Sequence, residues 1–266
     1  MPIQNSIGAL YPFRTTSILR PGIRYLPNLT ASFPAHVVGF QVSGGNVLKN
    51  PVQTPGYTIE YYVRPVGFTA GAGTGPQKIG NFDPGFTFRW GMGIENSALG
   101  SAHYRFEFNG FYFRTTNAIM SSGSWSNIAI TFDNDGTNST IRIFENGILQ
   151  NIQLNGAGLS ETSKTFLSST ATWNNAQPFS FYPQNRTGSP VVYYDEIRIS
   201  NVCRYTANYS LSPTPFLNDA NTLALFQFNY NPTQSLTNTI IDSGPNNFTI
   251  TNERSQQQLG EFPYPP

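Results

Sequence analysis

The chain has 266 residues, a formal net charge of +1 at pH 7, 11% charged residues and 14% aromatic residues, with 24 glycines and 20 prolines. A charged fraction less than half the usual ~25% and so many chain-breaking residues exclude a helical bundle and favour a β-rich chain long enough to bury its own core. Fifteen basic against fourteen acidic residues, with Lys49, Lys78 and Lys164 the only lysines, provide no general polyanion field, so nucleic acid is not an expected partner.

The single Cys203 excludes an internal disulfide framework and a multi-cysteine zinc site. No cofactor is expected. The opening residues lack a basic stretch followed by an apolar run, and no stretch approaches 18 uninterrupted apolar residues, so the expectation is neither export by a signal peptide nor membrane insertion.

Residues 1–58 contain no acid and four basic residues, Arg14, Arg20, Arg24 and Lys49. Pro2, Pro12, Pro21, Pro27 and Pro34 interrupt any helix there, so residues 1–44 are expected as an extended arm. An arm this apolar either lies on its own domain or docks on another subunit, and both readings stay open. Its candidate assembly residues are Phe13, Arg14, Ile18, Leu19, Arg20, Ile23 and Arg24.

Period-two alternation begins at Tyr57, where Tyr57, Ile59, Tyr61 and Val63 share one strand face. Asn109-Gly110 separates two aromatic-rich runs and marks a hairpin. Residues 127–133, 140–145 and 148–152, joined by a loop with Asp135-Gly136 and by Asn146-Gly147, predict a three-strand meander. Further strands are expected at 179–182, 191–200, 223–229 and 248–252, and so many without helical patterns imply an antiparallel sandwich. The polar, proline-rich residues 256–266 read as a strap, and the acid-rich C-terminal end suits contact with the basic N-terminal one.

Three stretches carry a resemblance: residues 57–65, Tyr-Thr-Ile-Glu-Tyr-Tyr-Val-Arg-Pro; residues 125–133 followed by 141–147, Ile-Arg-Ile-Phe-Glu-Asn-Gly; and residues 194–205, Tyr-Asp-Glu-Ile-Arg-Ile-Ser-Asn-Val-Cys-Arg-Tyr, running into 216–228. Their order resembles the concanavalin A-like lectin/glucanase superfamily, specifically laminin G-like jelly rolls of bacteriophage virion structural proteins. The resemblance implies an all-β antiparallel jelly-roll sandwich over residues 45–229, flanked by the arm and by a C-terminal strand and proline-rich tail over 230–266. Residues 240–250 resemble the entry strand of such a domain, here displaced to the C-terminus. For function, the resemblance implies a non-enzymatic virion protein assembled in the host cytoplasm. It would form a homo-oligomer whose partners are the major capsid protein or tail components, serving as a capsid decoration protein docked through its terminal arms, with a tail or head-fibre receptor-binding module for host glycans as the alternative.

Hydrolases of this superfamily carry Glu-x-Asp-x-x-Glu on one strand, a run this sequence lacks. Asp195 and Glu196 are adjacent and are expected on opposite strand faces, while Glu60, Glu107 and Glu145 stand apart. His36 and His103 lie in no metalloprotease motif, and no catalytic residue is assigned. For calcium, Asp133 and Asp135 are the weak candidates, with an ordinary Asx-stabilised turn as the competing account. A glycan rim would combine exposed rings with hydrogen-bonding side chains, and Asp83, Trp90, Trp173, Asn174 and Asn175 fit on composition. Trp125 is expected in the core.

Overall fold

Strand alternation sorts the side chains into two sets, and the chain folds as two stacked antiparallel sheets that bury one set between them. The computed structural model describes residues 19–25, 40–42, 46–66, 77–82, 88–98, 101–108, 111–117, 120–154, 157–170, 179–182, 191–211, 215–226, 239–252 and 257–263. The strands in chain order are β1 (Leu19–Tyr25), β2 (Phe40–Val42), β3 (Gly56–Val66), β4 (Gln77–Phe82), β5 (Phe88–Ala98), β6 (Ser101–Phe108), β7 (Phe111–Thr115), β8 (Met120–Ser121), β9 (Ser126–Asn134) and β10 (Asn138–Glu145). They continue as β11 (Ile148–Leu149), β12 (Ile152–Leu154), β13 (Ala157–Glu161), β14 (Lys164–Leu167), β15 (Phe179–Tyr182), β16 (Val191–Ser200), β17 (Thr222–Phe226), β18 (Thr239–Ile241), β19 (Thr249–Asn252) and β20 (Gln257–Pro263). Among the described residues no helix is long and apolar enough to cross a membrane.

One sheet runs β11-β10-β9-β3-β16-β1-β20, with β14 also on β10 and β17 also on β16. The other runs β13-β12-β7-β6-β5-β4-β15-β2-β19-β18, with β8 on β6. Tyr57, Ile59, Tyr61, Ile128, Ile130, Phe132, Ile141, Ile143, Ile197, Ile199 and Phe226 from the first sheet meet Val42, Tyr104, Phe106, Phe113, Ile152 and Phe179 from the second. Aromatic edges lock the two layers, with Phe106 against Phe132 at 4.9 Å and Tyr61 against Tyr104 at 6.2 Å between ring centroids.

The meander expected over 127–152 is present as β9, β10 and β11 in consecutive order. Asn146 (φ 50°) and Gly147 (φ 78°) both take the left-handed conformation that a two-residue hairpin requires. Trp125 differs from expectation. It is partly exposed and packs on a small satellite cluster of Tyr62, Phe216 and Leu225 outside the main core, because it precedes β9 at the sheet end.

The first and last described strands both join the first sheet. Of the expected arm, residues 19–25 pair with β20 (Leu19 opposite Pro263, Tyr25 opposite Gln257), and residues 23–25 also pair on the other side with β16 (Ile23 opposite Tyr194). β18 and β19 pair with each other, and β19 pairs with β2, so residues 239–252 join the second sheet within the chain. Asp242 fixes that return: its Oδ1 accepts from the Leu225 and Gly244 amides at 2.5 and 2.7 Å, and its Oδ2 from the Phe248 amide at 3.2 Å.

Candidate functional site

Of the residues singled out in the sequence, Phe13, Arg14, Ile18, His36, Asp83, Trp173, Asn174 and Asn175 lie outside the described residues. Leu19, Arg20, Ile23 and Arg24 are on β1, between β16 and β20. Trp90 is on β5, paired with Phe108 and Asn81, in phase with Met92 and Ile94, which stand opposite buried Phe106 and Tyr104. Asp135 Oδ1 accepts from the Thr137 and Asn138 amides at 2.8 and 2.7 Å, and these amides hold its carboxyl below the usual range. Asn134 Oδ1 accepts from the Gly136 amide, and Asp133 lies 3.6 Å from Arg142, so this loop spends its oxygens on its own turn and a neighbouring guanidinium. Among the described residues no group of three or more His, Cys, Asp or Glu side chains comes together.

The outer face of the first sheet is covered by the chain after β16. Residues 201–211 and 215–219 form a strap across β3, β9 and β10, tied by Thr58 Oγ1 donating to the Val202 carbonyl (2.7 Å), Thr131 Oγ1 to the Tyr205 carbonyl (3.0 Å) and Tyr209 OH to Asn127 Oδ1 (3.0 Å). Tyr205 and Tyr209 stack at 3.6 Å and meet Phe144 edge-on. Beneath the strap, Glu60 (1% exposed) accepts from Arg198 Nε at 2.7 Å and from Tyr205 OH at 2.8 Å. Burial opposes the Arg198 charge, but the Glu60 carboxylate outweighs it and holds the guanidinium above its usual pKa. Arg204 grips Asp219 bidentately at 2.8 and 2.7 Å, which holds that carboxyl well below the usual range. Burial raises Tyr205 and Tyr209 well above 10 and pushes the Cys203 thiol up, opposite to what a nucleophile needs. Every group in this cluster is consumed in holding the strap down.

A bulge in β16 corrects the expectation for Asp195 and Glu196. The register slips between Asp195 and Arg198, Glu196 takes φ 50°, and both carboxyls are buried on the strap side. Asp195 Oδ1 accepts from the Glu196 amide at 2.9 Å, and Glu196 Oε2 from the Phe216 amide at 3.0 Å.

The outer face of the second sheet is different. His103, Arg105 and Glu107 of β6, Tyr112 and Arg114 of β7, and Gln153 of β12 alternate with buried Tyr104, Phe106, Phe113, Thr115 and Ile152, and all six are partly exposed. Arg105 sits directly opposite Arg114, Glu107 opposite Tyr112, and Gln153 opposite Arg114. The Arg105 guanidinium lies 3.8 Å over the Tyr112 ring, and its Nη2 is 3.1 Å from Glu107 Oε2. His103 Nδ1–H donates to the Thr115 carbonyl at 2.8 Å.

Beside this ridge the pairing aligns three glycines. Gly91 is opposite Glu107 on one side and Gly80 on the other, and Gly93 is opposite Arg105 and Lys78. The strip so formed has no side chains and spans two strands, which lie about 5 Å apart. Donors, an acceptor and an aromatic ring in register with glycine positions are the groups that a polar, ring-shaped ligand uses.

Among the described residues the strand register brings no two carboxylates together on this face. Glu95 is opposite His103 and Glu107 opposite Gly91, four residues apart along β5, or about 14 Å, beyond the span over which two carboxylates flank a glycosidic bond. Glu145 is on β10 in the other sheet, accepting from Ser126 Oγ at 2.9 Å, with burial raising its pKa.

Sequence reading passed over Arg105, Tyr112 and Arg114. The signal was present in the Asn109-Gly110 hairpin, whose two runs alternate with one face aromatic and the other His, Arg, Glu, Tyr and Arg.

No family model matches the sequence, and none of the curated proteins does. Among solved structures, the fold is similar to that of a candidate carbohydrate-binding protein from Bacteroides ovatus ATCC 8483, with a TM-score of 0.51 and 11% identity over 93% of this chain and 61% of that one. The chain thus spans about three fifths of that protein's length. A heptameric SAP-like pentraxin from Limulus polyphemus is also similar, with a TM-score of 0.34 and 10% identity over 72% of this chain and 75% of that one. The fold is a lectin-like jelly-roll β-sandwich.

Proposed function

We propose that this chain is a non-enzymatic carbohydrate-binding module, carried on a bacteriophage virion, that seats saccharides on the outer face of its second sheet. The observation that carries the reading is the contrast between the two outer faces. One is sealed by the strap after β16, and the other keeps an ordered polar and aromatic ridge beside a glycine-floored strip. The similarity in fold to a candidate carbohydrate-binding protein adds support. The virion setting rests on residues 57–65, 125–133 with 141–147, and 194–205 with 216–228, which resemble phage laminin G-like jelly rolls. Display in many copies would multiply a weak single-site affinity.

The test is glycan-array binding by the purified chain and by Gly91→Val. An outward β-branched residue at this position suits a strand and fills the strip, so the variant keeps its melting midpoint and loses binding. A blank array, or binding that Gly91→Val leaves intact, refutes the site.

A second reading, capsid decoration with the fold serving assembly, is favoured by the acid-free residues 1–58 with their four basic side chains. Docking onto particles lacking the protein, with a blank array, would select it.

A further inference from the structure

Among the described strands, β16 has β3 along one side and a divided edge on the other. β1 takes residues 192–194 of that edge with its own residues 23–25, and β17 takes residues 197–200. The bulge at Asp195 and Glu196 falls at the junction, so β1 meets the body of the first sheet along a slot three residues long.

β1 pairs with β20 over all seven of its residues, but the ribbon they form is weak by composition. Pro21 has no amide hydrogen to give to a ladder, Gly22 stands opposite Gly260 as a pair without side chains, and Leu19 stands opposite Pro263. A two-stranded ribbon is marginal in water by itself, so β1 depends on the slot along β16.

The links that tie the two strands to the second sheet differ greatly in length. β20 follows β19 after residues 253–256, whose full reach is about 17 Å, against about 10 Å between stacked sheets. β1 is separated from β2 by residues 26–39, whose full reach is about 50 Å. The longer reach is several times what the crossing requires and comparable with the diameter of a compact chain of 266 residues.

We infer that β1 is an exchangeable strand, which leaves its own slot and enters the slot between β16 and β20 of a second copy of the chain. β20, on its short link, stays with its own sandwich. The ladder bonds are the same within a copy and between copies, so concentration decides between them. A tether of this length holds β1 at an effective concentration of about a millimolar or less, which crowded copies match. The exchange is independent of the saccharide reading, whose face belongs to the other sheet.

The experiment uses cross-linking in a Cys203→Ser background, since Cys203 is the free thiol. Ile23 and Tyr194 are register partners, as are Arg24 and Tyr193, and adjacent antiparallel pairs alternate between wide and close, so one of the two suits a disulfide. Ile23→Cys and Tyr194→Cys are made as separate chains, and so are Arg24→Cys and Tyr193→Cys. Each complementary couple is mixed at about millimolar concentration, oxidised and resolved on a non-reducing gel. The expected result is, for one couple, at least about tenfold more covalent dimer than from either variant alone, lost when excess Cys203→Ser chain competes for the slot. With both cysteines in one chain, the link should form within the chain when dilute and increasingly between chains as concentration rises.

A mixture that gives no more dimer than its components, while the doubly substituted chain links within itself at every concentration, overturns the inference and makes β1 a fixed strand of its own sheet. Equal dimer from the single variants alone overturns it as random collision, and a doubly substituted chain that links in neither pair removes β1 from β16. Sedimentation of the unsubstituted chain over the same concentrations decides even if a variant fails to fold. Growth from monomer towards dimer is expected, and a monomer mass throughout overturns the exchange.

Discussion

Replacing Glu60 by Gln keeps the side chain's shape and removes its charge from the centre of the strap. Arg198 is 8% exposed, and its Nε and Nη2 both reach Glu60 Oε1 at 2.7 Å. Its other contacts in the strap are the Leu217 carbonyl at 3.0 Å and the Phe216 ring at 4.7 Å, neither of which carries a formal charge. Breaking one partner of a buried pair leaves the other charge uncompensated, at a cost of about 3–5 kcal/mol. For a chain of this size each kcal/mol moves the melting midpoint by about 2 °C, so the expected drop is about 6–10 °C.

The double variant Glu60→Leu/Arg198→Met removes both charges and should lose less than Glu60→Gln alone, although Tyr205 OH then lacks its carboxylate acceptor. The assay is urea unfolding followed by tryptophan fluorescence, with the unsubstituted chain, Glu60→Leu, Arg198→Met and the double variant as the four corners of the cycle, measured under one condition beside Glu60→Gln. A single-variant loss below about 1 kcal/mol, or a double variant equal to the sum of the singles, would refute the account of the strap as held by a buried ion pair.

Gly147→Ala should destabilise by at least about 2 kcal/mol, since a Cβ there would collide with the Tyr209 carbonyl oxygen of the strap at φ 78°; Gly136→Ala, at φ 95° with nothing within 4 Å, isolates the backbone strain, and equal losses would discount the close approach. Trp125→Ala should cost about 1–2 kcal/mol, because the ring is partly exposed and only one small cluster covers it; a loss above about 3 kcal/mol, measured by the same unfolding curves, would place it in the core. Tyr57, Tyr205 and Tyr209 are raised above the ordinary phenol value by burial, so they remain neutral in the folded chain when the unfolded chain ionises. Their contribution is fully present below about pH 10 and is lost as pH rises above it, so the melting midpoint should fall there, while the individual Tyr205→Phe and Tyr209→Phe variants should flatten the fall.

The strands were legible where alternation and turn chemistry coincide. Tyr57, Ile59, Tyr61 and Val63 face the core as their spacing implies, and Asn146-Gly147 turns where expected. The outer face of the first sheet was not legible, because period-two reading assigns Thr58, Asn127 and Thr131 to solvent. They are buried by a strap more than 70 residues further along the chain, and nothing local encodes that cover. For the same reason nothing local names the partners of Arg198 and Arg204, which are Glu60, 138 residues from Arg198, and Asp219. The candidate binding face was legible in part. The hairpin's polar phase was in the sequence, but the alignment of Gly80 with Gly91 and of Arg105 with Arg114 depends on register, which only the paired strands fix.

β1 is hydrogen-bonded on both sides, and its partner β20 comes about 230 residues later in the chain. On a ribosome adding about 5–20 residues per second, the first strand waits on the order of 10–50 s for the last. During that interval the rest of the sandwich can close, because β3, β9, β10 and β16 pair among themselves. The terminal ribbon is therefore a late addition along the free part of β16, and its amides should exchange with solvent deuterium before those of β3 and β9. Whatever is fused or tethered at either end would bear directly on that ribbon and first on the edge of the first sheet, leaving the arginine ridge on the opposite layer undisturbed.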